Sequence, residues 1–375
     1  MIAIAGHNIF TELGFGSGAV YSRIREGETA LSLHVGDFGL PEPFYASLIH
    51  RDEIDRRFSG LPDPLGMTAL EKAMVLSAAD AVSMSGIDPS SEDTLFVVSS
   101  TKGNLDLLES GPETPTGSLT IWRSAQKLAS FFENPNEPIC VSNACTSGIC
   151  AQIAAYRAIS SGRFRNAVVV GADFLSRFVV SGFQSLKALS SERCRPFDAR
   201  RKGLNLSEAV ASLVLSADTG GIGIELEGGA IRNDATHISA PSRVASGQIA
   251  AIDALNCEKV NADLAFVNLH GTATLYNDSM ESVALHSCGL DAVPAVSYKS
   301  IFGHTLGAAG VLETVVSSLS MLEGVVFPTA GYAENGVPFE LSVSDRFRAA
   351  SGSRFLKVMS GFGGVNAATL YKKIL

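Results

Sequence analysis

Apolar and polar positions alternate along this chain with two distinct periods. In "TALEKAMVLSAADAVSMSG" the apolar residues recur at helical spacing, Thr68 and Glu71 form a capping box ahead of them, and Gly86 stops the run. "TLFVVSS" follows as a buried strand. "PICVSNACTSGICAQIAAYRAISSG" reads as strand, elbow and helix. Its Ile149, Ile153, Tyr156 and Ile159 start the helix just after Cys145 and close it near Gly162. Further on, "SGQIAAIDALN" reads as a helix and "LAFVNLHGT" as a buried strand, and "PAVSYKSIFGHTLGAAGVLETVVSSL" again gives strand, elbow and helix. Glycine and proline punctuate these runs, so the pattern predicts an α/β protein. Because the order of elements repeats, we expect two related halves, residues 1–219 and 220–375, meeting near the "ADTGG" turn at 217–221.

Composition narrows the class. In 375 residues, 46% are hydrophobic and only 18% charged, which implies a large buried interior. "MIAIAGHNIF" lacks a basic n-region and a long h-region and reads as a first strand, and no uninterrupted apolar run is long enough to span a bilayer. Six cysteines with no C-x-x-C pair fit a reducing compartment, so a cytoplasmic protein is expected. The formal net charge of −9 argues against nucleic acid as a partner. One basic segment stands out, "ERCRPFDARRKG" with Arg193, Arg195, Arg200, Arg201 and Lys202, either a solvated loop or a patch that steers an acidic partner.

The elbows carry the candidate chemistry. Cys145 at a helix N-terminus meets free amides and the positive dipole end, which favour thiolate and can hold an oxyanion. Cys140 and Cys150 are too spread along strand and helix to share a metal ion with it, and read as small core residues. His270 closes a strand at its carboxyl end, where open α/β sheets place their ligands. Asp278 and Glu281 read as the cap of the next helix. Lys299 and His304 share an elbow, and Glu313 falls in an otherwise apolar helix, where a buried carboxylate needs a cation; Lys299 is the candidate. "SGFGGVN" sets Phe362 among glycines that permit unusual backbone angles.

Together "NACTSG", "HGTAT", "KSIFGHTLGAAG" and "GFGGVN" resemble, in order and spacing, the β-ketoacyl-acyl carrier protein synthases, the elongating condensing enzymes of the thiolase superfamily. "RPFDARRKG" and "NDATHISAP" extend the likeness. The resemblance implies a thiolase-like fold, two βαβαβαββ halves in a five-layer αβαβα sandwich, usually a homodimer. It implies Cys145 as acyl-accepting nucleophile, His270 and His304 as the decarboxylation pair, Lys299 organising them, and Glu313 as the family glutamate. Phe362 matches the gating phenylalanine, whose amide with that of Cys145 makes the oxyanion hole, and Thr272 and Thr274 match the contacts to a pantetheine arm. The implied reaction joins an acyl thioester to a malonyl group on acyl carrier protein, in fatty-acid or polyketide and polyene elongation, with no cofactor and no metal. A thiolase is disfavoured because no cysteine follows Cys288, and an initiating synthase because His304 stands where those carry asparagine. The alternative is a chain-length-setting subunit paired with a related ketosynthase. "LSEAVA", with Ser207 and Ala209 at two expected glycine positions, and "LYND" depart from the family pattern and suggest a specialised branch.

Overall fold

The computed structural model describes residues 1–110, 116–218, 221–256 and 261–374, so the expected boundary between residues 219 and 220 and the sixth cysteine, Cys257, lie outside the described residues. Five strands of the first half are β1 (Ala3–Thr11), β2 (Thr94–Ser99), β3 (Ile139–Val141), β4 (Asn166–Asp173) and β5 (Ala209–Ser216). Five of the second are β6 (Ile224–Asn233), β7 (Leu264–Asn268), β8 (Ala295–Val296), β9 (Arg354–Gly361) and β10 (Val365–Lys373). Side by side they run β3-β2-β4-β5-β1 and β8-β7-β9-β10-β6. The two halves thus repeat one topology, joined where Ala3 of β1 pairs with Glu225 of β6.

Helices make the remaining layers. The capping-box helix α1 (Ala69–Ser85) forms as the sequence predicts, with Thr68 and Glu71 bonded reciprocally and Gly86 left-handed after it, and covers β1, β4 and β5. On the far side α3 (Ser246–Asp253) covers β6, β9 and β10 and carries α4 (Leu275–Ser287). Between the sheets lie α2 (Ser147–Ser160) and α6 (Ala309–Glu323), with the short α5 (Lys299–Phe302) leading into the latter. The order helix, sheet, helix, sheet, helix is the five-layer sandwich of the thiolase-like fold.

The stretch Leu306–Glu323 is, against the reading of the sequence, long and apolar enough to cross a bilayer, but 83% of it is buried inside the fold. A helix with a sheet on either side has little polar face to show. Where α2 and α6 cross, both present glycine: a Cβ on Gly310 would lie 2.4 Å from the amide nitrogen of Ile149 and 2.7 Å from the carbonyl carbon of Gly148. That contact sets the N-terminal ends of the two central helices side by side.

Candidate active site

Cys145 lies on the elbow between β3 and α2, two residues before the helix begins. The turn is tight because Ala144 sits at φ 47°, the left-handed region that costs a non-glycine residue energy. Neither the Cys145 amide nor that of Phe362 donates to another residue among the described ones, and a Cβ on Gly361, next to Phe362, would lie 3.3 Å from the Cys145 nitrogen. The expected thiolate is not the resting form. Burial pushes the thiol up to about 11, and the nearby Lys299 and Lys102 charges offset this only in part. Loss of hydration outweighs the helix terminus.

His270 and His304 come from the second half, and one ligand atom of each, with the Cys145 sulfur, fall within 4.8 Å of one another. The two rings are 5.2 Å apart, edge to face. Burial, then the Lys299 charge, holds both imidazoles well below their usual pKa of 6.5, so both are neutral. The tautomer of His304 is fixed: its Nδ1 accepts the amide of Leu306 at 3.2 Å, which leaves the proton on Nε2. Leu306 holds that pose at φ 52°. Nε2 itself is buried without a partner, as is Nδ1 of His270. With Nδ1 already accepting, a neutral His304 offers a donor at Nε2 rather than a lone pair, so the three side chains make a poor metal site despite their convergence. The backbone of His304 is clamped by the first half, its amide donating to Asn205 at 2.7 Å and its carbonyl accepting from Ser207 at 3.0 Å. Ser207, one of the departures from the family pattern, fills the space beside Gly303, where a Cβ would lie 2.0 Å from its hydroxyl.

Lys299 is buried and bonded to Glu313 at 2.6 Å, as the sequence suggested. The other Glu313 oxygen accepts from Lys357 of β9, which the sequence reading missed. Desolvation lowers Lys357 to about 8. One carboxylate between two ammonium groups leaves a net positive charge in a dry region, and that charge acts on both imidazoles.

Asp278 and Glu281 do not cap a helix. Thr274 is the residue before α4, and the two acids sit buried in its first turns. Glu281 accepts the amides of His270 and Gly271, both at 2.7 Å, while Asp278 accepts those of Thr272 at 3.0 Å and Phe197 at 2.8 Å. They hold the "HGT" loop from beneath, and burial raises them to about 7 and about 6. Asp173, at the end of β4, was also missed. It accepts the amides of Thr101 at 3.0 Å and Gly307 at 2.7 Å and pairs with Lys102 at 3.2 Å, tying the two halves together beside the site.

A cavity of about 360 Å³ opens onto Cys145, His270 and His304, with Thr272 and Thr274 on its wall, their hydroxyls 2.9 Å apart. Phe362, 38% exposed, stacks on Phe183 with ring centres 5.8 Å apart. Cys150 is buried as expected, but Cys140 is exposed, because β3 is the last strand of its sheet. The basic segment also divides. Arg201 is buried 3.8 Å from Asp278, Lys202 lines the cavity that opens onto Cys145, and Arg193, Arg195 and Arg200 line a different one.

Known proteins share this arrangement of sequence and fold. Residues 24–219 match the family model of the β-ketoacyl synthase N-terminal domain, and residues 224–333 that of the C-terminal domain. The 3-oxoacyl-[acyl-carrier-protein] synthase 2 of Vibrio harveyi is 29% identical over 343 residues, 80% of this chain and 81% of that one. The tetracenomycin polyketide synthase ketoacyl synthase alpha subunit of Streptomyces glaucescens is 35% identical over 252 residues, 61% of this chain and 58% of that one. The chain spans less than two thirds of the length of the Streptomyces relatives it matches. Among solved structures, the ishigamide ketosynthase/chain length factor superposes with a TM-score of 0.86 at 25% identity, covering 100% of this chain and 99% of that one.

Proposed function

The chain belongs to the β-ketoacyl synthase family, and on that premise we propose that it condenses an acyl thioester with a malonyl thioester, both delivered on acyl carrier protein, in the cytoplasm. The work divides between residues 1–219, which bring the nucleophile, and residues 220–375, which bring the two histidines. The observation that carries this reading is the convergence of Cys145, His270 and His304 within 4.8 Å at the floor of one cavity.

A buried thiol with a raised pKa needs a base at the moment of attack. His304 is locked as a donor, so His270, whose ring has no protein hydrogen bond among the described residues, takes the proton. The sulfur attacks the acyl carbonyl, the oxyanion faces the free amides of Cys145 and Phe362, and collapse expels the carrier thiolate, which recovers the proton from His270. A malonyl thioester then enters the same cavity, its pantetheine arm along Thr272 and Thr274. Carbon dioxide leaves, and the electron pair it leaves behind delocalises onto the thioester oxygen, held by Nε2–H of His304 and an N–H of neutral His270. The carbanion attacks the acyl-enzyme carbonyl and Cys145 departs as thiolate. That thiolate takes up one proton from solvent to regain its resting thiol, which closes the cycle with no cofactor.

The ishigamide structure contains a ketosynthase and a chain length factor. For this chain we favour a pair of identical subunits, since its own site is complete. Intact-mass analysis after exposure to a panel of acyl-carrier thioesters tests the whole reading. One acyl mass should appear on the protein and be absent from Cys145→Ala. No adduct with any chain length, together with obligate pairing to a second ketosynthase subunit, would replace it with the chain-length-setting role.

A further inference from the structure

A second cavity, about 520 Å³, shares no lining residue with the catalytic one. Its wall includes Arg193, Arg195 and Arg200 from the basic segment and, across from them in sequence, Phe327 and Phe347. We propose that this cavity binds a nucleotide-like anion, its phosphates among the three arginines and its ring against the exposed Phe347.

The charge balance points to an anion. Neither Arg193 nor Arg195 has a carboxylate within ion-pairing distance among the described residues; Arg193 rests instead on the Tyr45 ring, 5.6 Å from its centre. Glu192, the acid beside them in sequence, is taken by Lys202 at 2.5 Å. Among the described residues Arg200 pairs only with Asp198, at 3.4 Å, and that carboxylate also accepts the amides of Arg200, Ala333 and Glu334. Glu28, the one acid on the wall among the described residues, is paired with Arg23 at 2.6 Å. Three arginines therefore line one space, and the acid that Arg195 acts on, Glu192, is already bonded to Lys202, in a protein whose net charge is −9. Guanidinium forks suit phosphate geometry.

The cavity is also built in advance. The amide of Ala199 donates to Glu334 and that of Gly336 to Phe197, both at 2.9 Å, which joins the basic segment to the facing loop. On the other side Ala30 donates to Ile301 at 3.0 Å, and the amide of Ala330 donates to the Ser300 hydroxyl at 2.9 Å. These bonds fix the backbone of the wall, which lowers the ordering cost of binding, while the exposed Arg193 and Arg200 side chains are ordered by the ligand. The volume falls in the ordinary range for small-molecule sites, roughly 300–1,000 Å³. Phe347, 41% exposed and packed on the buried Phe327 with ring centres 5.0 Å apart, offers beside the Arg25 guanidinium, 4.5 Å from the Phe347 ring centre, an apolar surface that inorganic phosphate alone would leave uncovered.

Titration calorimetry at low salt with ADP, pyrophosphate and adenosine separates the contributions. ADP should bind, with affinity falling as salt rises, pyrophosphate about tenfold more weakly, and adenosine not measurably. Arg195→Ala and Arg193→Ala should each weaken ADP about tenfold, the scale of a lost charge-assisted hydrogen bond. Both variants should still accept an acyl group on Cys145, which verifies their fold, and Lys202→Ala, at the catalytic mouth, should leave ADP binding unchanged. No ADP binding, or binding untouched by both arginine substitutions, overturns the site. Equal affinity for pyrophosphate and ADP overturns the aromatic half of the assignment.

Discussion

At the scale of single residues, the site is governed by which groups are kept dry and what charge they face. Lys357 is the test case. It is buried, shares Glu313 with Lys299, and adds positive potential at both imidazoles. Replacing it by methionine removes that charge, so His270 and His304 should protonate more easily and the acid limb of malonyl decarboxylation should move to higher pH. An acid limb that stays in place would reduce Lys357 to a packing residue. The wild-type imidazoles also make stability depend on pH. In the unfolded chain they take up protons near 6.5, in the fold only well below it, so stability is full above 6.5 and is lost as pH falls from there through the folded values. His304→Asn should flatten the change in urea midpoint between about pH 7 and 5; an unchanged slope would place the acid sensitivity elsewhere.

At the scale of elements, the glycine contact between α2 and α6 sets the Cys145 elbow beside that of His304. A Cβ on Gly310 meets backbone atoms, which cannot rotate away as a side chain can. Gly310→Ala should therefore push the helices apart, costing about 1–3 kcal/mol in denaturant unfolding and a larger fraction of the condensation rate. Full activity in the variant would mean that the crossing does not position the site. This level was the most legible in the sequence. Thr68, Glu71 and Gly86 marked both ends of α1, and the run Ile149 to Ile159 placed the start of α2 within two residues. Lone charges were readable only in part. Glu313 betrayed itself by its apolar flanks, and Lys357, between Leu356 and Val358 in "RFLKVMSG", carried the same signal on a strand, where one apolar run leaves either face open. Asp278 and Glu281 were misread because spacing alone does not distinguish a cap from a buried carboxylate that serves the preceding loop. The acidity of Cys145 was misread for a related reason: helix position is local and visible in sequence, whereas dehydration is set by the whole fold.

At the scale of the molecule, the unsolved element is an edge. Among the described residues β3 pairs only with β2, and its Ile139 (37%) and Cys140 are both exposed. A short apolar edge of unpaired amides and carbonyls invites another strand. At the opposite end β8 pairs with β7, and Ala295 and Val296 are both buried, so the two ends of the repeated topology are treated differently. β3 leads directly into the Cys145 elbow, so whatever covers β3 also bears on Cys145. A second copy of this chain, related by a two-fold axis, would satisfy both edges at once. Cys140→Pro removes a backbone donor from β3 and should convert a particle with the mass of two chains into single chains in light scattering after gel filtration. It should also slow Cys145 acylation, because the elbow loses its lateral support. A Cys140→Ser protein should stay paired and react normally, since serine keeps the amide. If wild-type protein already runs as a single chain while Cys145 accepts acyl groups at full rate, the exposed edge is not a subunit contact.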